Sequence, residues 1–386
     1  MGPLNGVRII EMAGIGPAPF CGMMLSDMGA EVIRVDRSDG ADLGLPGREP
    51  RFEVLHRGRQ SVAVDVKTEP GREIVRRLVK DADALIEGFR PGVMERLDLG
   101  PDVLAKINPR LVFGRMTGFG QDGPMAPRAG HDINYIALTG ALHAIGRKDG
   151  PPLPPLNLIG DYGGGGMLLA FGVVCAILEA RSSGNGQVVD AAMVDGGSVL
   201  MAAIFGFLGS GMWRDERGVN ILDSGAPWYN VYETRDGKWV SIGSIEKRFY
   251  ADLLERLGIA GEELPKQHDR AGWPKLAKRF AEVFASRTRD EWSAIFADSD
   301  ACFAPVLAMK EVAAHPHNTA RSTFVEREGV LQPSPAPRFS RTPEAIRGPA
   351  RAAGADSEAV LKAAGYSATD IAALIAQGVV SKAVER

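Results

Sequence analysis

Two ionisable residues are set in apolar, glycine-marked surroundings that a core alone does not require. His131 stands in Gly130-His131-Asp132-Ile133-Asn134-Tyr135, and Asp161 ends the run Asn157-Leu158-Ile159-Gly160-Asp161, ahead of Tyr162 and glycines 163 to 166. Imidazole titrates near neutrality, so His131 can take and return a proton under ordinary conditions. Asp161 precedes a long apolar helix pattern, which places its carboxylate beside free backbone N–H groups and the positive end of a helix dipole. A developing oxyanion can be held there. The chemistry offered is therefore acid–base catalysis, or attack by Asp161 as a nucleophile. The simpler alternatives are a hydrogen-bonded core histidine and a helix N-cap aspartate.

The elements that must position these residues alternate in type. Strand patterns cover 7–11, 31–36, 61–65, 84–88 and 111–117, and helical patterns cover 19–28, 69–80 and 101–106. This βαβ rhythm predicts a doubly wound parallel sheet, an α/β Rossmann-like domain whose ligand lies beyond the carboxyl ends of the strands. The loops after Glu11, Asp36, Asp65 and Gly88 gather at that edge. The first contains Gly14 and Gly16 but has Pro19 where a dinucleotide fingerprint needs its third glycine. Asp36 falls at about the ribose-binding distance from it, while Arg37 better suits a phosphate or adenine. Lys67, Arg90 and Arg96 are either ordinary solvated surface or, if they converge, a phosphate clamp.

Beyond Asp161, the apolar run 167–180 is too short to span a bilayer and reads as a buried helix. A strand at 187–192 follows. Segments 229–234 and 238–242, joined through Asp236-Gly237, form a β-hairpin signal that opens a smaller α+β domain. Just after it, Glu246 sits in the first turn of a helix, where a glutamate usually serves the dipole or a cap. Pro333, Pro335, Pro337 and Pro343 mark a linker, and helices at 357–364 and 367–377 close the chain. The expected division is a large domain of 1–222 completed by 338–386, with 223–337 as the small domain.

Bulk properties narrow the function. The chain has 386 residues, 45% hydrophobic and 24% charged, with a net charge of -3. This balance argues against nucleic-acid or anionic-membrane partners, so a polyanionic ligand must meet local arginines. Cys21, Cys175 and Cys302 are far apart and read as three buried structural thiols in a reducing compartment. With no signal-peptide pattern at the N-terminus, the expected location is cytoplasmic. No metal-ligand spacing is present; His315-Pro316-His317 is the nearest approach.

Several stretches resemble the family III CoA transferases. They are the opening 4–11, 29–36, Phe89-Arg90-Pro91-Gly92, Gly118-Phe119-Gly120-Gln121-Asp122-Gly123-Pro124, Gly160-Asp161 and Ala364-Gly365-Tyr366-Ser367. Within that family, 130–135 together with Pro154-Pro155-Leu156-Asn157 resembles the α-methylacyl-CoA racemase branch. The resemblance implies an interlocked homodimer acting on an acyl-CoA thioester, with no cofactor beyond the CoA of the substrate. Its CoA contacts fall at Ile15, Arg37, Val64, Asp65, Lys67, Gly88, Phe89, Arg90, Arg96, Gly130, Asp132 and Tyr135. His131 and Asp161 match its acid/base pair, and Glu246 a small-domain carboxylate near that pair. Met193, Met201 and Met212 suit an adaptable acyl surface. Three functions remain open: racemisation at C2 of a 2-methylacyl-CoA, CoA transfer through an Asp161 acyl anhydride, and CoA binding without turnover.

Overall fold

The structure, a computed structural model, describes residues 2–37 and 49–383. Strands β1 (Arg8–Met12), β2 (Glu31–Asp36), β3 (Gln60–Val64), β4 (Ala84–Glu87), β5 (Val112–Thr117) and β6 (Val188–Ala192) form one parallel sheet. Their order is β3-β2-β1-β4-β5-β6, and the short strand Val380–Ser381 adds antiparallel beside β3. Consecutive strand residues point into two different cores. Ile9, Val32, Ile86 and Val112 pack on one side with the helices Pro17–Asp27 and Leu168–Ser183. Ile10, Ile33, Leu85 and Phe113 pack on the other with Glu69–Val79, Pro101–Ile107 and the C-terminal helices Ser357–Ala363 and Ala368–Ala376. Helices thus cover both faces, which is why the strands are mostly apolar rather than alternating, with Glu11, Arg34, Glu87 and Arg115 as buried charged exceptions. The direction in which successive strands are added reverses between β1 and β4, the place where such sheets open a crevice.

The helix containing Asp161 is longer than the apolar run suggests. Leu158–Met167 is a wide π-helical stretch continuous with Leu168–Ser183, giving 26 residues in all. By length and composition it could cross a membrane, which corrects the short span read from 167–180, and half of its apolar stretch is buried in the fold. The glycines explain the seating. A Cβ at Gly165 would stand 3.0 Å from Pro17 and 2.9 Å from Met193, and one at Gly166 would stand 2.4 Å from the Pro17 carbonyl oxygen. Only glycine lets this turn lie against the Pro17–Asp27 and Met193–Leu200 helices. The 168–183 portion is not fully buried as expected: Phe171 is 68% and Leu178 72% exposed, and Val174 and Cys175 share that outer side. Of the three thiols only Cys21 is buried; Cys175 and Cys302 are exposed.

By contacts the chain forms two units, 1–139 with 156–201 and 322–386, and 140–155 with 202–321. Segments 140–155 and 202–222 therefore group with the second unit, and 322–337 with the first, unlike the division expected from composition. In the first unit, strands Phe324–Arg327 and Val330–Pro333 pair as a hairpin. Its Gln332 accepts from buried Arg57, which also makes a two-pronged pair with Asp27. The second unit holds the antiparallel sheet β7 (Tyr229–Glu233), β8 (Trp239–Gly243) and β9 (Phe303–Val306). An aromatic core of Trp228, Phe280, Phe284 and Trp292 lies beneath it.

Candidate active site

His131 is the N-cap residue of the short helix Asp132–Ile136, in extended backbone and with an exposed side chain. Its N–H donates to Oδ1 of Asn134 at 3.0 Å, which fixes the turn. The turn is clamped from beneath by Tyr135. The Tyr135 hydroxyl donates to the Gly130 carbonyl, and its ring lies edge-on to Phe119. A Cβ at Gly118 would fall 2.0 Å from that ring and one at Gly130 2.8 Å away, so both glycines make room for it.

Asp161 lies half-buried in the first turns of the π-helical stretch. Its Oδ2 accepts from Nδ2 of Asn157 at 3.0 Å. On the other side comes the loop after β1: Gly16 has φ of 68°, and a Cβ there would be 3.0 Å from Asp161 Oδ2. Burial raises the Asp161 pKa, and the charge of Asp132 adds to this; the Asn157 hydrogen bond and the charge of His131 oppose it. Asp161 therefore lies within electrostatic range of His131. One expectation changes. The backbone N–H at Asp161 is not free for an oxyanion, because it donates to Oδ2 of the buried Asp132 at 2.7 Å.

The residues expected to hold CoA occupy the carboxyl edge of the sheet. Ile15 is exposed in the loop after β1, Arg37 follows β2, Lys67 follows β3, and Arg90 and Arg96 follow β4; all four basic side chains are exposed. Val64 is a buried strand end, so its own side chain is core. Asp65 shapes the next turn, its carboxylate accepting the Lys67 N–H at 3.0 Å. A Cβ at Gly88 would make only ordinary contact with Ala18, at 3.4 Å, and the Phe89 N–H donates to Glu87 at 2.6 Å. Arg90 lies within electrostatic range of Tyr135 in the His131 turn. The ribose reading of Asp36 fails on occupancy: Nε of Arg34 binds both its oxygens at 3.0 and 2.8 Å, and Ser61 donates to it at 2.5 Å.

Glu246 belongs to the second unit. It is the exposed N-cap residue of the helix Lys247–Arg256 but makes no side-chain cap bond, so the capping role expected of it is not performed. The turn before it is fixed: the Gln267 amide donates to the carbonyls of Ser244 and Ile245 at 3.0 and 2.9 Å, and the Ser244 hydroxyl to Ala301 at 2.6 Å. Met193 is buried beneath the glycine turn, Met201 half-buried, and Met212 exposed in the second unit. Met193 is thus core rather than acyl surface. Exposed Ile133 and Leu158, near His131 and Asp161 in sequence, supply apolar surface that the sequence reading missed. The Glu87–Arg115 pair behind the β4 loop was missed as well; Gly16 and Asn157 were noted in the sequence, but not their positions against the Asp161 carboxylate. Among the described residues, no three His, Cys, Asp or Glu side chains are placed to hold a metal.

The profile of CoA-transferase family III matches residues 4–357. The chain is 46% identical over 372 residues to the α-methylacyl-CoA racemase of Mus musculus, covering 95% of each. It is 44% identical over 341 residues to the α-methylacyl-CoA racemase of Homo sapiens, covering 88% of this chain and 87% of that one. A crystal structure of a CAIB/BAIF family protein from Brucella suis superposes with a TM-score of 0.79 at 27% identity, covering 94% of this chain and 99% of that one. The doubly wound sheet, the Gly160-Asp161 turn and these matches together mean that the chain belongs to the family III CoA transferases.

Proposed function

We propose that the chain is an isomerase that interconverts (2R)- and (2S)-2-methylacyl-CoA thioesters, the α-methylacyl-CoA racemase activity named for its mouse and human relatives. The observation that supports this reading is geometric: the residue after His131, Asp132, accepts the Asp161 N–H at 2.7 Å, which brings together the turns bearing His131 and an Asp161 whose carboxyl is raised by burial. A thioester acidifies its α-hydrogen, but removing it and returning it to the opposite face takes one base on each side of C2. A buried carboxylate is more basic than a solvated one, and imidazole is matched to neutral pH. His131 takes the C2 proton on one face, the electron pair moves onto the thioester oxygen to form an enolate, and Asp161 returns a proton on the other. In the reverse direction the roles exchange. Electrons and protons balance without a redox partner, so CoA enters only as part of the substrate.

Arg37, Lys67, Arg90 and Arg96 receive the CoA phosphates and nucleotide at the carboxyl edge, while Ile133 and Leu158 offer apolar surface to the acyl chain. Glu246 tunes or relays protons, as the family resemblance implies. The active form is a homodimer in the cytoplasm, and the exposed apolar side of the 168–183 helix suits cover by a second copy.

The test is C2 deuterium uptake by a 2-methylacyl-CoA in D2O with no acceptor acid present. Exchange without acceptor supports the racemase. No exchange until a carboxylic acid is added, with CoA appearing on that acid, replaces it with transfer through an Asp161 anhydride.

A further inference from the structure

The buried carboxylate of Asp132 has no role in the proton transfers above. It is 5% exposed, yet its Oδ1 has no hydrogen-bond partner. A carboxylate taken from water with one oxygen unsatisfied is costly, and proteins keep such groups where they do something other than pack. Its other oxygen, Oδ2, accepts the N–H of Asp161 at 2.7 Å. Glycine at 160 follows from this contact, since a Cβ there would stand 2.6 Å from Oδ2 and 2.9 Å from Cγ of Asp132. Asp132 is also the residue after His131. One side chain therefore spans the gap between the turn bearing one base and the turn bearing the other.

We propose that Asp132 is the positioning residue of this site: its buried carboxylate ties the His131 turn to the Asp161 turn and sets the spacing of the two bases. The inference rests on the racemase reading for its kinetic consequences, but the tether itself is a matter of structure. The charged or titratable groups around Asp132 are His131, Asp161 and Tyr135, with Arg90 reaching Tyr135. Of these, Asp161 is bonded to it directly. Its negative charge there works with burial to keep Asp161 basic, so tether and basicity come from the same group.

Two substitutions separate the parts. Asp132→Ala removes the tether, and Asp132→Asn keeps an acceptor for the Asp161 N–H while removing the charge. In Asp132→Ala, kcat for C2 exchange should fall about 10- to 100-fold with KM for the CoA ester changed less than about threefold, as for lost positioning rather than lost binding. Asp132→Asn should recover most of that rate, with the acid limb of its kcat/KM profile displaced to lower pH. A readout independent of turnover follows the Asp161 carboxyl by 13C NMR, assigned by its disappearance in Asp161→Asn. It should titrate at lower pH in Asp132→Asn than in the unaltered protein.

If Asp132→Ala exchanges within twofold of the unaltered enzyme, or the Asp161 carboxyl titrates at the same pH in both proteins, the inference is wrong. If Asp132→Ala does not fold, Asp132→Ser, too short to reach the Asp161 N–H, takes its place in the kinetic comparison. Absence of exchange in the unaltered enzyme would sink the racemase reading instead, and the same titration would still decide whether the Asp132 charge acts on Asp161.

Discussion

Gly164 and Gly196 meet backbone to backbone: a Cβ at Gly196 would lie 1.9 Å from the carbonyl oxygen of Gly164, and one at Gly164 2.5 Å from the nitrogen of Gly197. This contact seats the turn bearing Asp161 on the Met193–Leu200 helix. Backbone, unlike a long side chain, has nowhere to retreat. Gly196→Ala should therefore push the two helices apart, destabilising the fold by about 1–3 kcal/mol as overpacking does. Because Asp161 moves with its turn, turnover should fall by more than the melting temperature alone accounts for. Equal melting and equal kcat in the variant would show that the contact does not hold the site.

Glu87 makes stability depend on pH. It is buried at the end of β4, and burial pushes its carboxyl up to about 7 against the pull of the Phe89 N–H and Arg115. The folded state thus holds this proton more tightly than the unfolded chain, whose carboxyl has the ordinary value of 4.5. The contribution is complete below 4.5 and is withdrawn as pH rises through 7, a loss of about 3 kcal/mol. Glu87→Gln should match the unaltered protein near pH 4.5 and become the more stable of the two as pH approaches 8. Denaturation midpoints across that range check it; a constant difference between the proteins would show that Glu87 stays ionised throughout.

Arg90 is exposed on the loop after β4 and within electrostatic reach of Tyr135. A charge-assisted contact to phosphate is worth about 1.5–3 kcal/mol, and 1.4 kcal/mol is a factor of ten. Arg90→Ala should raise KM for the CoA ester roughly 10- to 100-fold, leave kcat much closer to its original value, and lose its effect as salt screens the charge. An unchanged KM at low salt removes Arg90 from the nucleotide site.

What the sequence made legible was what period and punctuation can carry. Apolar runs bounded by Gly, Pro or charge located all five early strands within a residue or so, since strands buried on both faces need continuous apolar stretches. Contacts between distant segments left no such trace. Nothing local marks the Arg59–Glu11 pair, in which both side chains are wholly buried with Arg59 donating to Glu11. Glycines 163 to 166 looked like the start of a helix, but their use is lateral, against Pro17 and the 193–200 helix, and no periodicity reports that. Asp132 was counted among CoA contacts; its burial and its bond to the Asp161 N–H follow from how two turns meet. The exposed side of the 168–183 helix was likewise invisible, because an all-apolar sequence does not say which face is covered.

That side leads to a prediction about assembly. Phe171, Val174 and Leu178 form an apolar strip too exposed for a helix with no further cover. An obligate homodimer should sediment at twice 41.2 kDa, and Leu178→Glu should weaken it, since a charge would have to be buried on association. A stable and active 41.2 kDa species would defeat the proposal.

The division of labour between His131 and Asp161 can be read from the two epimers separately. If each residue serves one face of C2, removing one blocks abstraction on its own side, while the other can still lift and return a proton on its side without inversion. General acid–base groups contribute about 10²- to 10⁴-fold, so racemisation should fall by that order in both His131→Ala and Asp161→Ala. Deuterium exchange should survive in part, and from opposite epimers in the two variants. Asp161 adds a pH signature. Burial and the neighbouring Asp132 raise its carboxyl, so the acid limb that it sets should lie above the ordinary aspartate value of 3.8 and should vanish in Asp161→Ala. Retained exchange from the same epimer in both variants would mean that one residue serves both faces. If His131→Ala racemises normally while Asp161→Ala loses only transfer of CoA to an added acid, Asp161 is a nucleophile and the two residues are not a pair of bases.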